Sequence, residues 1–160
     1  MSAVSGRARS RVKLRLDDYL PYRLSVAANA VSRLIAGAYE TRFALSVPQW
    51  RLLASLADAS APLTQQTLCG RTIMDKVTVM RAAQGLLRRR LIRRLPNDRD
   101  GRSHHLMLTP TGRRMYGEVE PLALEYEQRL LQGLRRAEVQ QLERLLRALQ
   151  STATELTQRA

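Results

Sequence analysis

Aromatic residues make up only 4% of this 160-residue chain, and cysteine occurs once, as Cys69. A core so poor in rings has to be built from leucine, alanine and valine, which suits packed helices better than a sheet. A single cysteine excludes an intrachain disulfide. No apolar run approaches the about 20 residues that a membrane span needs, and the opening MSAVSGRARSRVKLRL lacks the apolar stretch of a signal peptide. The expectation is a cytoplasmic protein with no membrane partner. Catalytic ingredients are missing too: there is no glycine-rich phosphate loop and no Ser, His and Asp set in a recognisable motif. Cys69, His104 and His105 are the only soft metal ligands, and neighbours along a strand point to opposite faces, so the two histidines cannot easily grip one ion. No metal, no cofactor and no enzymatic activity are expected.

Acidic residues are outnumbered, 14 against 27 basic ones, for a net charge of +13. All the basic residues but Lys13 and Lys76 are arginines. Residues 1–16 hold five basic residues and no acid, 17–70 are balanced, 71–102 hold ten basic residues against three acids, and 103–160 are again nearly balanced. A general preference for arginine would raise it everywhere, whereas clusters of this kind point to a polyanion. Residues 1–16 read as a basic flexible tail that adds solubility or phosphate contacts. With 44% apolar residues, 17–160 can bury the core of a single domain.

The second basic cluster falls on the best-defined pattern in the chain. Asp75 to Arg89, DKVTVMRAAQGLLRR, predicts a helix with Asp75 as N-cap, accepting from the amide of Val77 or Thr78. Val79, Ala82, Ala83, Leu86 and Leu87 form one buried stripe, leaving Lys76, Thr78, Arg81, Gln84 and Arg88 off it. Before it, LTQQTLCGRT predicts a shorter helix capped by Thr64, with Leu63 and Leu68 as a hydrophobic staple. Two short capped helices meeting near Arg71 to Met74 have the layout of a helix-turn-helix. Ile92 and Leu95, then Leu106 and Leu108, predict two short strands joined by a bend at Pro96, Asn97 and Gly101. That bend carries Arg99, Asp100 and Arg102, and a basic hairpin following a reading helix is a wing.

The outer segments read as long helices. One is expected from Asp18 to Tyr39, capped by Asp17 or Asp18, with Pro21 in its first turn. Another opens at Ser46 with a capping box to Gln49 and runs through Trp50, a core residue, to about Ala59. Thr109 caps a helix that starts at Pro110, is interrupted by Pro121, where a kink is expected, and ends near Gly133. The last begins at about Arg136 and turns Val139, Leu142, Leu145, Leu146, Leu149, Ala153 and Leu156 inward, although Arg135 stands where a capping Ser or Asp is expected. These helices carry more apolar surface than one reading unit can cover, so a second copy is expected to cover it.

The stretch from Leu63 to Gly112, with T-V at 78–79, D-G-R at 100–102 and L-T-P-T-G at 108–112, resembles the MarR family of winged helix-turn-helix regulators, and the likeness extends over roughly residues 17–158. It implies a mainly α protein with a small β-wing, the winged helix-turn-helix at 46–109, and dimerisation helices at 17–40 and 110–158. The implied function is a sequence-specific double-stranded DNA-binding repressor, working as a homodimer on a pseudo-palindromic operator and released by a small effector such as an aromatic acid. Expected DNA contacts are Thr64, Gln65, Lys76, Thr78, Arg81, Gln84, Arg88, Arg99, Asp100 and Arg102. Arg102 stands where the family inserts an arginine into the minor groove, held by the acid two residues before it. A narrow A·T-rich groove with enhanced negative potential would favour it there. In relatives the effector enters between the first and fifth helices and the reading unit, which implies Tyr19, Tyr22, Arg23, Trp50, Met115 and Tyr116, each of which could equally be dimer core. One branch of the family senses peroxide through a thiol near the start of the first helix, where this chain has Tyr19 and Tyr22. Cys69 instead takes an inward position, where thiols are usually inert. Two alternatives stay open: a redox-sensing regulator based on Cys69 and a non-specific architectural DNA-binding protein. One departure from the family is Arg90, where relatives turn with glycine, so that either Arg90 is left-handed or the turn is built differently.

Overall fold

The computed structural model describes residues 14–97 and 104–159. Most of the basic tail and the tip of the wing, including Arg99, Asp100 and Arg102, lie outside the described residues. A short 3-10 turn, Leu16–Asp18, leads into helix α1, Leu20–Phe43. Asp17 and Asp18, expected as caps, instead belong to that turn, and Tyr19 is the N-cap with no side-chain bond. Both acids are drawn into the turn, where Asp18 pairs back with Arg15 Nε at 3.4 Å, and Pro21 falls in the first turn of the helix, where its missing N–H costs nothing. The helix also runs past the expected end at Tyr39, because Tyr39 and Phe43 are both buried and share its inner face. It closes at Ala44, which is left-handed with φ 50°. The amide of Leu45 returns to the Tyr39 carbonyl at 3.3 Å, giving a terminal carbonyl of the helix its partner.

Helix α2, Val47–Ala57, opens with the expected capping box: the Gln49 amide donates to Ser46 Oγ at 3.4 Å, and the Ser46 amide to Gln49 Oε1 at 3.0 Å. It ends two residues before the expected Ala59, with Asp58 as its C-cap. Helix α3, Gln65–Thr72, and helix α4, Lys76–Arg88, complete the reading unit. The sheet has three strands rather than two. Strand β1, Leu63–Thr64, pairs antiparallel with β3, His104–Leu108, which in turn pairs with β2, Ile92–Pro96. A two-residue strand leaves no alternation to detect, and the staple signal at Leu63 hid it. Ile92 opposite Leu108 and Arg94 opposite Leu106 share one face, and Ile92, Leu106 and Leu108 are buried on it.

The core follows the expected composition. Leu45, Leu52, Leu53, Leu68, Val79, Leu86, Leu106 and Val119 are fully buried, with Tyr39 the one ring among them. It lies between the end of α1, the helix-turn-helix, the sheet and the first part of helix α5, Pro110–Leu131. Pro121 stands inside α5. Helix α6, Arg136–Arg159, contributes nothing to this core: none of its residues is buried in the single chain, although the sequence gives it an apolar face. Where no capping Ser or Asp precedes it, Glu138 takes over, accepting from the Arg135 amide at 2.8 Å and from its guanidinium at 2.8 Å.

The L-T-P-T-G motif has a mechanical basis. Thr109 Oγ1 accepts from the Gly112 amide at 3.0 Å, capping α5, and donates toward the Arg90 carbonyl at 2.7 Å. The Thr109 amide bonds the Leu91 carbonyl at 3.0 Å. This draws the first turn of α5 so close to the chain leaving α4 that a Cβ at Gly112 would fall on the Leu91 carbonyl. Gly112→Ala is expected to lower stability by about 1 to 3 kcal/mol, as overpacking against backbone does, read as a lower melting temperature. Gly117→Ala, where a Cβ meets nothing, serves as control and should raise helix stability slightly.

Candidate nucleic-acid interface

Helix α4 is fixed in rotation and at its start. Val79, Ala82, Ala83, Gly85 and Leu86 are buried, which sets the face turned to the core. A Cβ at Gly85 would meet the side-chain amide of Gln49, so the absence of a side chain lets α4 lie close to α2. At the N-terminus, Asp75 Oδ1 accepts from the Thr78 amide at 2.8 Å and Oδ2 from the Thr78 hydroxyl at 2.6 Å. These bonds, the hydroxyl first and the amide next, hold the Asp75 carboxyl below its usual pKa. Arg71 pairs with Asp58, tying the end of α3 to the end of α2. Ile73, at the corner between α3 and α4, is left-handed at φ 52° and 74% exposed.

The structure brings most of the expected contact residues to one side. Lys76, Arg81, Gln84 and Arg88 are exposed along α4. Thr78 is half-buried and its hydroxyl hydrogen is committed to Asp75, so what it can still offer outward is an acceptor oxygen and its methyl group. Thr64 caps α3, accepting from the Thr67 amide at 3.1 Å, and Gln65 follows it, half-buried, in a recess shared with Cys69, Asp75 and Lys76. Cys69 is half-exposed there rather than buried, because the inner face of the short α3 is filled by Leu68 and Thr72.

Three arginines escaped the sequence reading as contacts. Arg90, Arg93 and Arg94, together with Arg88, line a shallow groove of about 560 Å³ between the end of α4, β2 and Thr109. None of the four guanidinium groups has a hydrogen bond or ion pair among the described residues. Arg90 takes the left-handed turn, at φ 56°, the first of the two alternatives open for it. Arg89, in the same run, does something different: its guanidinium donates to the Ala44 and Phe43 carbonyls, each at 2.9 Å, at the C-terminal end of α1. The signal was the run LLRRRLIRR, but position in the run does not reveal which arginine turns inward.

The aromatic residues are partly assembled. Trp50 stacks on Tyr116, with ring centroids 5.6 Å apart and planes 11° apart, and its ring lies 5.1 Å from that of Tyr39. Offset and tilted arrangements of this kind are the favourable ones for aromatic pairs. Tyr39 was missed as a member of this group. Met115 is half-buried against the core beside them. The Tyr116 hydroxyl donates to Glu120 Oε1 at 2.8 Å, and that bond, with burial and the nearby carboxylates, raises its pKa to about 12, so it stays a donor. Tyr19, the N-cap of α1, and Tyr22 and Arg23 in its first turn are exposed, and no ring contact joins either tyrosine to the stack.

A capped helix-turn-helix, a three-stranded wing and an exposed basic face on its second helix define a winged helix-turn-helix regulator of transcription. Comparison with known proteins bears this out. Residues 45–103 match the model of the MarR family. A probable transcriptional regulator from Pseudomonas aeruginosa is 30% identical, covering 84% of this chain and 99% of that one at a TM-score of 0.76. A MarR/EmrR family transcriptional regulator from Acinetobacter sp. ADP1 is 25% identical, covering 89% and 99% at a TM-score of 0.81. The S. aureus MepR–DNA complex shares the fold at 22% identity, covering 84% and 98% with a TM-score of 0.76. No curated protein matches the chain. The chain belongs to the MarR family of transcriptional regulators.

The cap gives a pH prediction. Because the folded pKa of Asp75 lies below its ordinary 3.8, its bonds stabilise the fold fully above that value and lose their effect as pH falls through the lower folded pKa. Asp75→Asn should be less stable than the parent at about neutral pH, with the gap narrowing towards about pH 3. Urea midpoints across that range would show it, and a gap independent of pH would refute the charged cap.

Proposed function

We propose that this chain is a homodimeric, sequence-specific double-stranded DNA-binding repressor that leaves its operator when a small aromatic acid or related effector binds. The observation that carries the DNA reading is α4 itself, capped, locked in rotation by its buried stripe, and presenting Lys76, Arg81, Gln84 and Arg88 outward. A fold shared with MepR, solved in complex with DNA, supports it. Residues 17–160 form one domain in this reading, with 1–16 as a basic tail and a cytoplasmic setting. Among the described residues no helix is long and apolar enough to cross a membrane.

The dimer is supported by α6, whose Leu142, Leu145, Leu146, Leu149 and Leu156 are each at least 41% exposed in the single chain. Pairing through α1, α5 and α6 would cover them and set two reading helices about 34 Å apart, on successive major grooves. Arg102, with Asp100 to hold it, is the candidate for the minor groove and Arg99 the candidate for phosphate, all three outside the described residues. Thr64, Gln65 and Thr78 complete the contacts around the reading helix. Arg88, Arg90, Arg93 and Arg94 suit the phosphate strand that lies between a major groove holding α4 and a minor groove holding the wing. For the effector, the half-buried Trp50–Tyr116 stack with Met115 supplies ring and apolar contacts, and Tyr19, Tyr22 and Arg23 stand on α1 as its remaining candidates. Binding has to favour the spacing of the two lobes that does not fit DNA, since equal affinity for both would shift nothing.

The test is binding to a palindromic site in competition with random DNA at fixed salt. A regulator holds its site about 10³-fold tighter or more, whereas an architectural protein holds both alike. Arg81→Ala should cost about 1 to 3 kcal/mol on the specific site and less on random DNA. Arg93→Gln with Arg94→Gln should weaken both DNAs equally and reduce the salt slope by about two. For the effector, a panel of phenolic acids and their thioesters that neither raises the melting temperature nor releases DNA would remove that part of the proposal.

A further inference from the structure

The exposed face of α4 is not uniformly polar. Val77 keeps 49% of its surface and Met80 keeps 40%. They are three residues apart in the first turns of the helix, hence neighbours on its surface, and they stand among Lys76, Arg81 and Gln84. Core packing does not account for them, because the stripe turned to the core is Val79, Ala82, Ala83 and Leu86. The proposed dimer would not cover them either, since it pairs through α1, α5 and α6. Two adjacent apolar side chains at the part of a reading helix that enters DNA suit an apolar target.

In the major groove every base pair offers hydrogen-bonding groups, but only one kind of apolar group is present, the C5 methyl of thymine. Resting on the DNA reading above, we propose that Val77 and Met80 read thymine methyl groups, so that each half-site carries thymines beside the bases taken by Arg81 and Gln84. Arginine suits guanine O6 and N7, and glutamine suits adenine N6 and N7. Since the partner of that adenine is itself a thymine, Gln84 and an apolar neighbour can read the two strands of a single A·T pair. The chemistry is a methyl group leaving water for a hydrocarbon contact, which amounts to about fourfold in affinity per methyl.

The experiment starts with the full chain selecting a palindromic site from random duplexes. Thymines in each half-site are then replaced one position at a time by deoxyuridine, which removes the methyl and nothing else. The expected result is a loss of about fourfold per methyl at one or two positions in each half-site and none at thymines flanking it. Val77→Ala or Met80→Ala should abolish the sensitivity at its own position while the melting temperature stays unchanged. Affinity of the parent indifferent to deoxyuridine at every thymine would overturn the proposal, as would both alanine variants keeping the full sensitivity. If no site is selected over random DNA, the regulator reading fails and this inference falls with it.

Discussion

The contact on which the rest depends is the one between the first turn of α5 and the chain leaving α4. The Thr109 amide donates to the Leu91 carbonyl there, the Thr109 hydroxyl reaches the Arg90 carbonyl, and Gly112 leaves room for the approach. The left-handed Arg90 makes the corner possible, and Leu91 and Ile92, buried right after it, hold the corner against the core. With that corner fixed, the direction of β2 and the direction of α5 are both set relative to the reading helix. A strand that leads to the wing and a helix that leads to the far end of the molecule therefore leave from one point.

Local signals in the sequence turned into local structure wherever the chemistry was complete within a few residues. Ser46, Thr64, Asp75 and Thr109 all cap as their side chains and following amides suggest. The stripe of α4 is buried as its spacing implies, because a 3.6-residue period needs no knowledge of what covers it. The failures are equally physical. The start of α1 was moved by the 3-10 turn that takes up both nearby acids, and no helical period announces such a turn. Strand β1 owes its existence to β3, far along the chain, and two residues carry no period of their own.

The site was legible to the extent that it lies on one helix. The exposed polar residues of α4 followed from the pattern, but Val77 and Met80 carry no signal of their own, since single apolar residues on an exposed face are ordinary. The groove of Arg88, Arg90, Arg93 and Arg94 needed the corner at Arg90 to bring helix and strand side by side. Tyr39 joins Trp50 and Tyr116 only through the packing of α1, α2 and α5. The aromatic group is a product of tertiary structure that no window along the chain contains, whereas the four arginines share one window and only the turn decides which of them line the groove.

Arg89 carries a consequence of its own. Its guanidinium holds two carbonyls at the C-terminal end of α1, where the helix leaves them without partners and the dipole favours a cation. The end of the reading helix and the end of α1 are thus joined through one side chain. A twist or slide of α1 either carries the end of α4 with it or gives up two charge-assisted bonds, and this makes the two helices one mechanical part.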